Sequence, residues 1–159
     1  MGIHILRSRI PKTVLSAVAW GVVWGLLSLS FASAAPTDLV IVAAKDFPPD
    51  ALTIVDVQNI YLGKKHMVGT TPVVAIDQSE AEHIKLEFLN RVLHLTHAEY
   101  RAHLLKRRFQ EGAVTPKFEP NSAEVLRSVA TTPGAVGYVY ESELGSFPGL
   151  KVLAVVPTE

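Results

Sequence analysis

Apolar residues in this chain fall into two patterns, short unbroken runs and residues spaced three or four apart, and the two alternate from residue 37 onward. The run Thr37 to Ala44 predicts a strand buried on both faces, as in a mostly parallel sheet covered by helices. Asp46 to Asp50, with Pro48 and Pro49, cannot extend it and reads as a loop. Thr53 with Asp56 then caps a helix whose buried stripe is Ile54, Val57, Ile60 and Tyr61, ended by Gly63, with Lys64 and Lys65 suited to its negative pole. A second strand is predicted over Pro72 to Ile76, and Asp77, Gln78 and Ser79 form its strand-to-helix corner.

Ser79 and Glu82 have capping-box spacing, and Ile84, Phe88, Leu89 and Val92 mark the apolar face of the helix that follows. Thr96 and Glu99 start another helix with Tyr100, Leu104, Leu105 and Phe109 expected inward, and with Lys106, Arg107 and Arg108 as a solvated face near its C-terminus. Gln110 to Pro120 is the longest polar connection and the expected mobile loop. Asn121 and Glu124 open a short helix buried through Val125, Leu126, Val129 and Ala130, stopped at Thr132-Pro133-Gly134. The β-prone Ala135 to Val139 follows, in which Gly137 leaves room for a neighbouring backbone or helix. After a turn region at Gly145 to Gly149 comes a last strand, Leu150 to Val155. Alternating strands and helices without a repeat predict an α/β fold: one lobe of three layers, a mostly parallel or mixed sheet flanked by helices.

The first 34 residues do not fit that pattern. Arg7, Arg9 and Lys12 precede an apolar run from Val14 to Phe31, and Ala32-Ser33-Ala34 has the small-x-small form of a signal peptidase site. We read residues 1–34 as a secretory signal and 35–159 as the exported, periplasmic domain. The alternative is an uncleaved anchor in the inner membrane, the globular part still facing the periplasm. Cleavage removes three of the 15 basic residues and no acidic ones, leaving 12 against 15, a net charge of −3. An acidic exported domain is a poor fit to nucleic acid. With no cysteine, stability rests on the core, and the 125 residues that remain suffice for one core of moderate size.

Candidate chemistry is sparse. Gly63-Lys64 is not a phosphate loop, because Gln58 stands where the upstream glycine would be. His94, His97 and His103 lack a metal-binding pattern and read as surface histidines. No serine lies in an elbow motif, and the pairs Glu80/Glu82 and Glu141/Glu143 are only local neighbours. No catalytic residue, metal or cofactor is expected.

A family resemblance rests on several motifs in order. The capped helix followed by Pro133-Gly134-Ala135-Val136-Gly137-Tyr138-Val139, the segment Ile60-Tyr61-Leu62-Gly63-Lys64, the strand end Ala75-Ile76-Asp77-Gln78, and Phe109-Gln110-Glu111-Gly112 with Pro116 together resemble the substrate-binding proteins of phosphate ABC transporters, particularly short single-domain relatives. The likeness runs from about Leu39 to Val155. It implies one lobe of a type 2 periplasmic binding protein, without enzymatic activity, holding phosphate or another small oxyanion at the Asp77, Gln78 and Ser79 corner, where helix N–H groups favour negative charge. It also implies an ABC transporter or other envelope protein as partner.

One departure weighs against the anion. Full-length phosphate binders resemble one another in an arginine followed by Ser-Gly-Thr at this corner, whereas this chain reads DQSEAEH, putting Glu80 and Ala81, or Glu82 and His83 in a shifted register, in place of glycine and threonine. Two like charges ~4 Å apart repel by about 4 kcal/mol at an effective dielectric near 20. Two readings therefore stand: a binding module for a small anion, or a single-lobe interaction or scaffold domain that has lost its ligand. Homodimerisation, with a second lobe replacing the missing half, is a further expectation.

Overall fold

The computed structural model describes residues 38–111, 114–145 and 147–157. The expected secretion signal, its cleavage or retention as an anchor, and both tryptophans lie outside the described residues. A five-stranded sheet organises the chain in the order β5-β4-β6-β1-β7. β4 (Val74–Gln78) runs parallel to both β5 (Lys117–Glu119) and β6 (Ala135–Tyr140). β1 (Leu39–Ala44) is antiparallel to β6 and to β7 (Leu150–Val156), so the sheet is mixed. β1 is buried on both faces, as its apolar run predicts, yet it is the strand that runs against the others.

Each strand alternates its side chains between two cores. On one face Leu39, Ile41 and Ala43 of β1 meet α1 (Ile54–Tyr61), α2 (His83–Phe88), its π-helical continuation Leu89–Leu93, and Tyr100 of α3 (His97–Glu111). On the other face Val40 and Val42 join Ile76 and Val139 against α4 (Ser122–Thr131). Helices thus cover both sides of the sheet, giving the single three-layer α/β lobe expected.

Local chemistry explains most boundaries. Thr53 and Asp56 form the capping box of α1, and Asn121 Oδ1 accepts the Glu124 N–H at 3.1 Å to start α4. Thr96 and Glu99 exchange the same reciprocal bonds before α3. At Gly137 a Cβ would lie 2.6 Å from Val125 Cγ1 and 2.9 Å from Val129 Cγ2, so its absence lets α4 sit close on β6, as anticipated.

Several expectations need correction. Ser79 and Glu82 do not make a capping box: Glu82 is itself the N-cap of α2 without a side-chain bond, because Ser79 closes a turn through its carbonyl, accepting the Glu82 N–H at 3.1 Å. The strand ends at Gln78 rather than Ile76, and a two-residue hairpin, β2 (Met67–Val68) with β3 (Thr71–Pro72), precedes it. Leu105 and Phe109 are exposed. The inward face of α3 turns instead through Tyr100, His103, Leu104 and Arg107, because His103 Nε2 reaches the Leu62 carbonyl at 2.9 Å and Arg107 donates to the Gly63 carbonyl. Lys65 also departs from its expected place, reaching back to Asp56 at 2.6 Å. The segment read as a loop over Gln110 to Pro120 holds the end of α3 and the edge strand β5. Ala130 is exposed, and a short helix, α5 (Glu141–Leu144), follows β6.

Candidate functional site

The C-terminal end of β4 places Asp77 and Gln78 on opposite faces of the sheet, and both are wholly buried. Asp77 points to the α2 and α3 side. Its Oδ2 pairs with Lys85 Nζ, while Oδ1 accepts the Tyr138 hydroxyl at 2.6 Å and the Gln78 N–H at 2.8 Å. Gln78 points to the α4 side, where Nε2 donates to the Tyr138 carbonyl at 2.8 Å and meets Ser122 Oγ at 3.3 Å. Ser122 Oγ in turn donates to Glu143 Oε2 at 2.7 Å, which ties α5 into the same chain of bonds.

Lys85 is the unexpected member. It lies on the buried stripe of α2 with Ile84 and Phe88. Its ammonium sits 4.6 Å from the centre of the Tyr100 ring and 5.4 Å from that of Phe118, a cation held between two aromatic faces. Burial pushes the Lys85 pKa down, and the Asp77 carboxylate beside it opposes that shift. Burial, reinforced by the Asp77 charge, holds the Tyr138 hydroxyl far above its ordinary value, so it acts as a donor to the carboxylate. Phe88 stacks on Tyr138 at 4.0 Å between ring centres, closing the network from the apolar core.

Ser79 is the first residue outside this buried set. Its N–H donates to the Glu119 carbonyl at 2.9 Å, joining the corner to the edge strand, and its hydroxyl accepts the Ala81 N–H at 3.4 Å. The open space beside it, about 400 Å³, is bounded by Ser79, Glu80, Phe118, Glu119 and Pro120, two of them carboxylates. Glu80 is exposed and lies 3.3 Å from His97. Glu119 accepts from Ser128 Oγ at 2.5 Å and pairs with Lys117 at 2.8 Å, and these two partners hold its pKa below the ordinary carboxylate range. His94 is in a left-handed backbone conformation in the turn before α3, so it shares no helical face with His97. Among the described residues no group of three or more metal-ligating side chains is gathered.

The three residues singled out at the corner are thus adjacent in chain and space but differ in environment: two are buried and bonded internally, one is at the surface. Lys85, Tyr138 and Ser122 were not assigned to the corner from the sequence. For Lys85 a signal existed, since it stands three and four residues before Phe88 and Leu89 and hence on the same helical stripe. Nothing in the spacing of Tyr138 points to Asp77, which is 61 residues away.

No protein-family model matches this chain, and no curated protein matches it. Solved structures share the fold. An ABC-type phosphate transport receptor from Vibrio cholerae superposes with a TM-score of 0.57 at 14% identity, over 74% of this chain and 45% of the receptor. PstS from Borrelia burgdorferi gives 0.57 at 16% identity, over 74% of this chain and 47% of that protein. The single α/β lobe, a mixed sheet flanked by helices, is consistent with one lobe of the type 2 periplasmic binding protein fold. The chain spans less than half the length of these proteins. Identity this low speaks for the fold and leaves the ligand open.

Proposed function

We propose that this chain is a non-enzymatic, solute-binding-like lobe exported to the periplasm, acting as an interaction or scaffold domain beside an ABC transporter or another envelope protein rather than capturing phosphate at its strand-to-helix corner. The observation that supports this reading is the state of Asp77 and Gln78: both are fully buried and bonded to Lys85, Tyr138 and Ser122. The buried Lys85 ammonium is already neutralised by Asp77 and offers no free positive charge to an external anion, which would have to displace or crowd that carboxylate. The shared fold supports the class of domain.

Melting of the purified protein in phosphate, sulfate and related oxyanions tests the reading, and no shift is expected. A bound anion at 100 times its dissociation constant would add about 2.7 kcal/mol, and such a stabilisation would overturn the proposal. A second reading, in which a small oxyanion docks at the surface of the corner through Ser79, is favoured by the open space beside that residue and opposed by Glu80 and Glu119 around it. Under that reading the stabilisation appears and Ser79→Ala removes it.

A further inference from the structure

α3 carries two stripes. Tyr100, His103, Leu104 and Arg107 turn inward, whereas Arg101, Leu105 and Arg108, at i, i+4 and i+7, face a groove that the edges of Tyr100 and Leu104 also reach and whose other wall is Phe118 of the edge strand β5. The groove encloses about 380 Å³, within the usual size of small-molecule sites. Its lining is part polar, with Thr115 and His97 among it, but Leu105 is 47% exposed and Phe118 52%, so large hydrophobic surface is left open on both sides of one cleft. Its rim is cationic, for Arg101 and Arg108 carry no ion pair among the described residues, and the acid that lines the groove, Glu80, sits beside His97.

Apolar walls capped by two guanidinium groups complement a ligand with an apolar body and an anionic head. We infer that the cleft between α3 and β5 binds an amphipathic organic anion, a carboxylate on a chain or ring of modest size, with Leu104, Leu105 and Phe118 holding the body and Arg101 and Arg108 the head. A bare oxyanion would leave the apolar walls wet, and a neutral apolar compound would leave both arginines unpaired. The groove shares Tyr100 and Phe118 with the rings around Lys85, but Arg101 and Arg108 lie outside the buried Asp77 network, and the inference does not depend on whether the corner takes an anion.

Calorimetric titration of decanoate into the purified protein is the test, with decanol, inorganic phosphate and phosphatidylglycerol vesicles as comparison arms. Decanoate should bind saturably at one site, and decanol or phosphate should bind at least about tenfold more weakly, a difference of ~1.4 kcal/mol. Arg101→Gln with Arg108→Gln, and separately Leu105→Gln, should each weaken decanoate by a similar factor without moving the unfolding midpoint, since all three side chains are exposed. No decanoate binding, equal binding of decanol, unchanged binding by these variants, or binding to vesicles but not to free decanoate would each overturn the inference. An oxyanion that stabilises the protein but does not compete with decanoate would remove the corner proposal and leave this one standing.

Discussion

Lys85 and Asp77 show how much one buried pair can determine at a site. Breaking such a pair leaves a charge without its partner in the interior, which costs about 3–5 kcal/mol, whereas neutralising both members is often nearly free. Lys85→Met should therefore lower urea-unfolding stability by roughly that amount, and adding Asp77→Asn should recover most of it. If the single variant loses less than about 1 kcal/mol, the pair is not holding the corner closed. Gly137 makes a packing prediction on the same scale. Gly137→Ala would drive a methyl group into Val125 and Val129 and should cost about 1–3 kcal/mol. The close approach at Gly137 was legible from a small residue in an apolar strand. The buried lysine was legible only to a reader who trusts helical spacing over residue type.

Helices and strands were read with uneven success, for a physical reason that recurs. Caps act within one turn, so Thr53, Thr96 and Asn121 announce their helices in the chain itself. Which face of a helix turns inward depends on what lies opposite. α3 turns the part-buried His103 and Arg107 inward because the carbonyls of Leu62 and Gly63, just past the end of α1, need donors there, and the exposed Leu105 and Phe109 follow from that choice. β5, only three residues long, carries too little pattern to announce itself.

The ion pairs on these elements set an acid limit. Asp56 is held below the ordinary carboxylate range by Lys65 and then Thr53, and Glu119 by Lys117 and then Ser128. A carboxylate with a depressed folded pKa stabilises above its unfolded value of about 4, and that contribution is lost as pH falls through the folded value. The urea midpoint should accordingly fall below about pH 4, and Asp56→Asn with Glu119→Gln should flatten that decline. A decline equally steep in the double variant would place the acid sensitivity elsewhere.

For the whole molecule, the lobe architecture follows from the alternation of strands and helices, and the reading of residues 1–34 as an export signal makes a spectroscopic prediction. Trp20 and Trp24 both precede Ala34, so protein recovered from the periplasm should show tyrosine emission without indole emission. Indole emission from protein recovered with the inner membrane would favour the anchor instead. Sizing of the same material tests whether two lobes associate.

The longer elements, their order and the three-layer class were determined by the sequence alone, because capping and hydrophobic period act over a few residues. Tertiary structure alone decided that β1 runs antiparallel, that Lys85 meets Asp77, that Tyr138 donates across the sheet, and that α3 leaves an apolar stripe beside β5. Each of these joins residues far apart in the chain, and such contacts exist only once the sheet has brought them together.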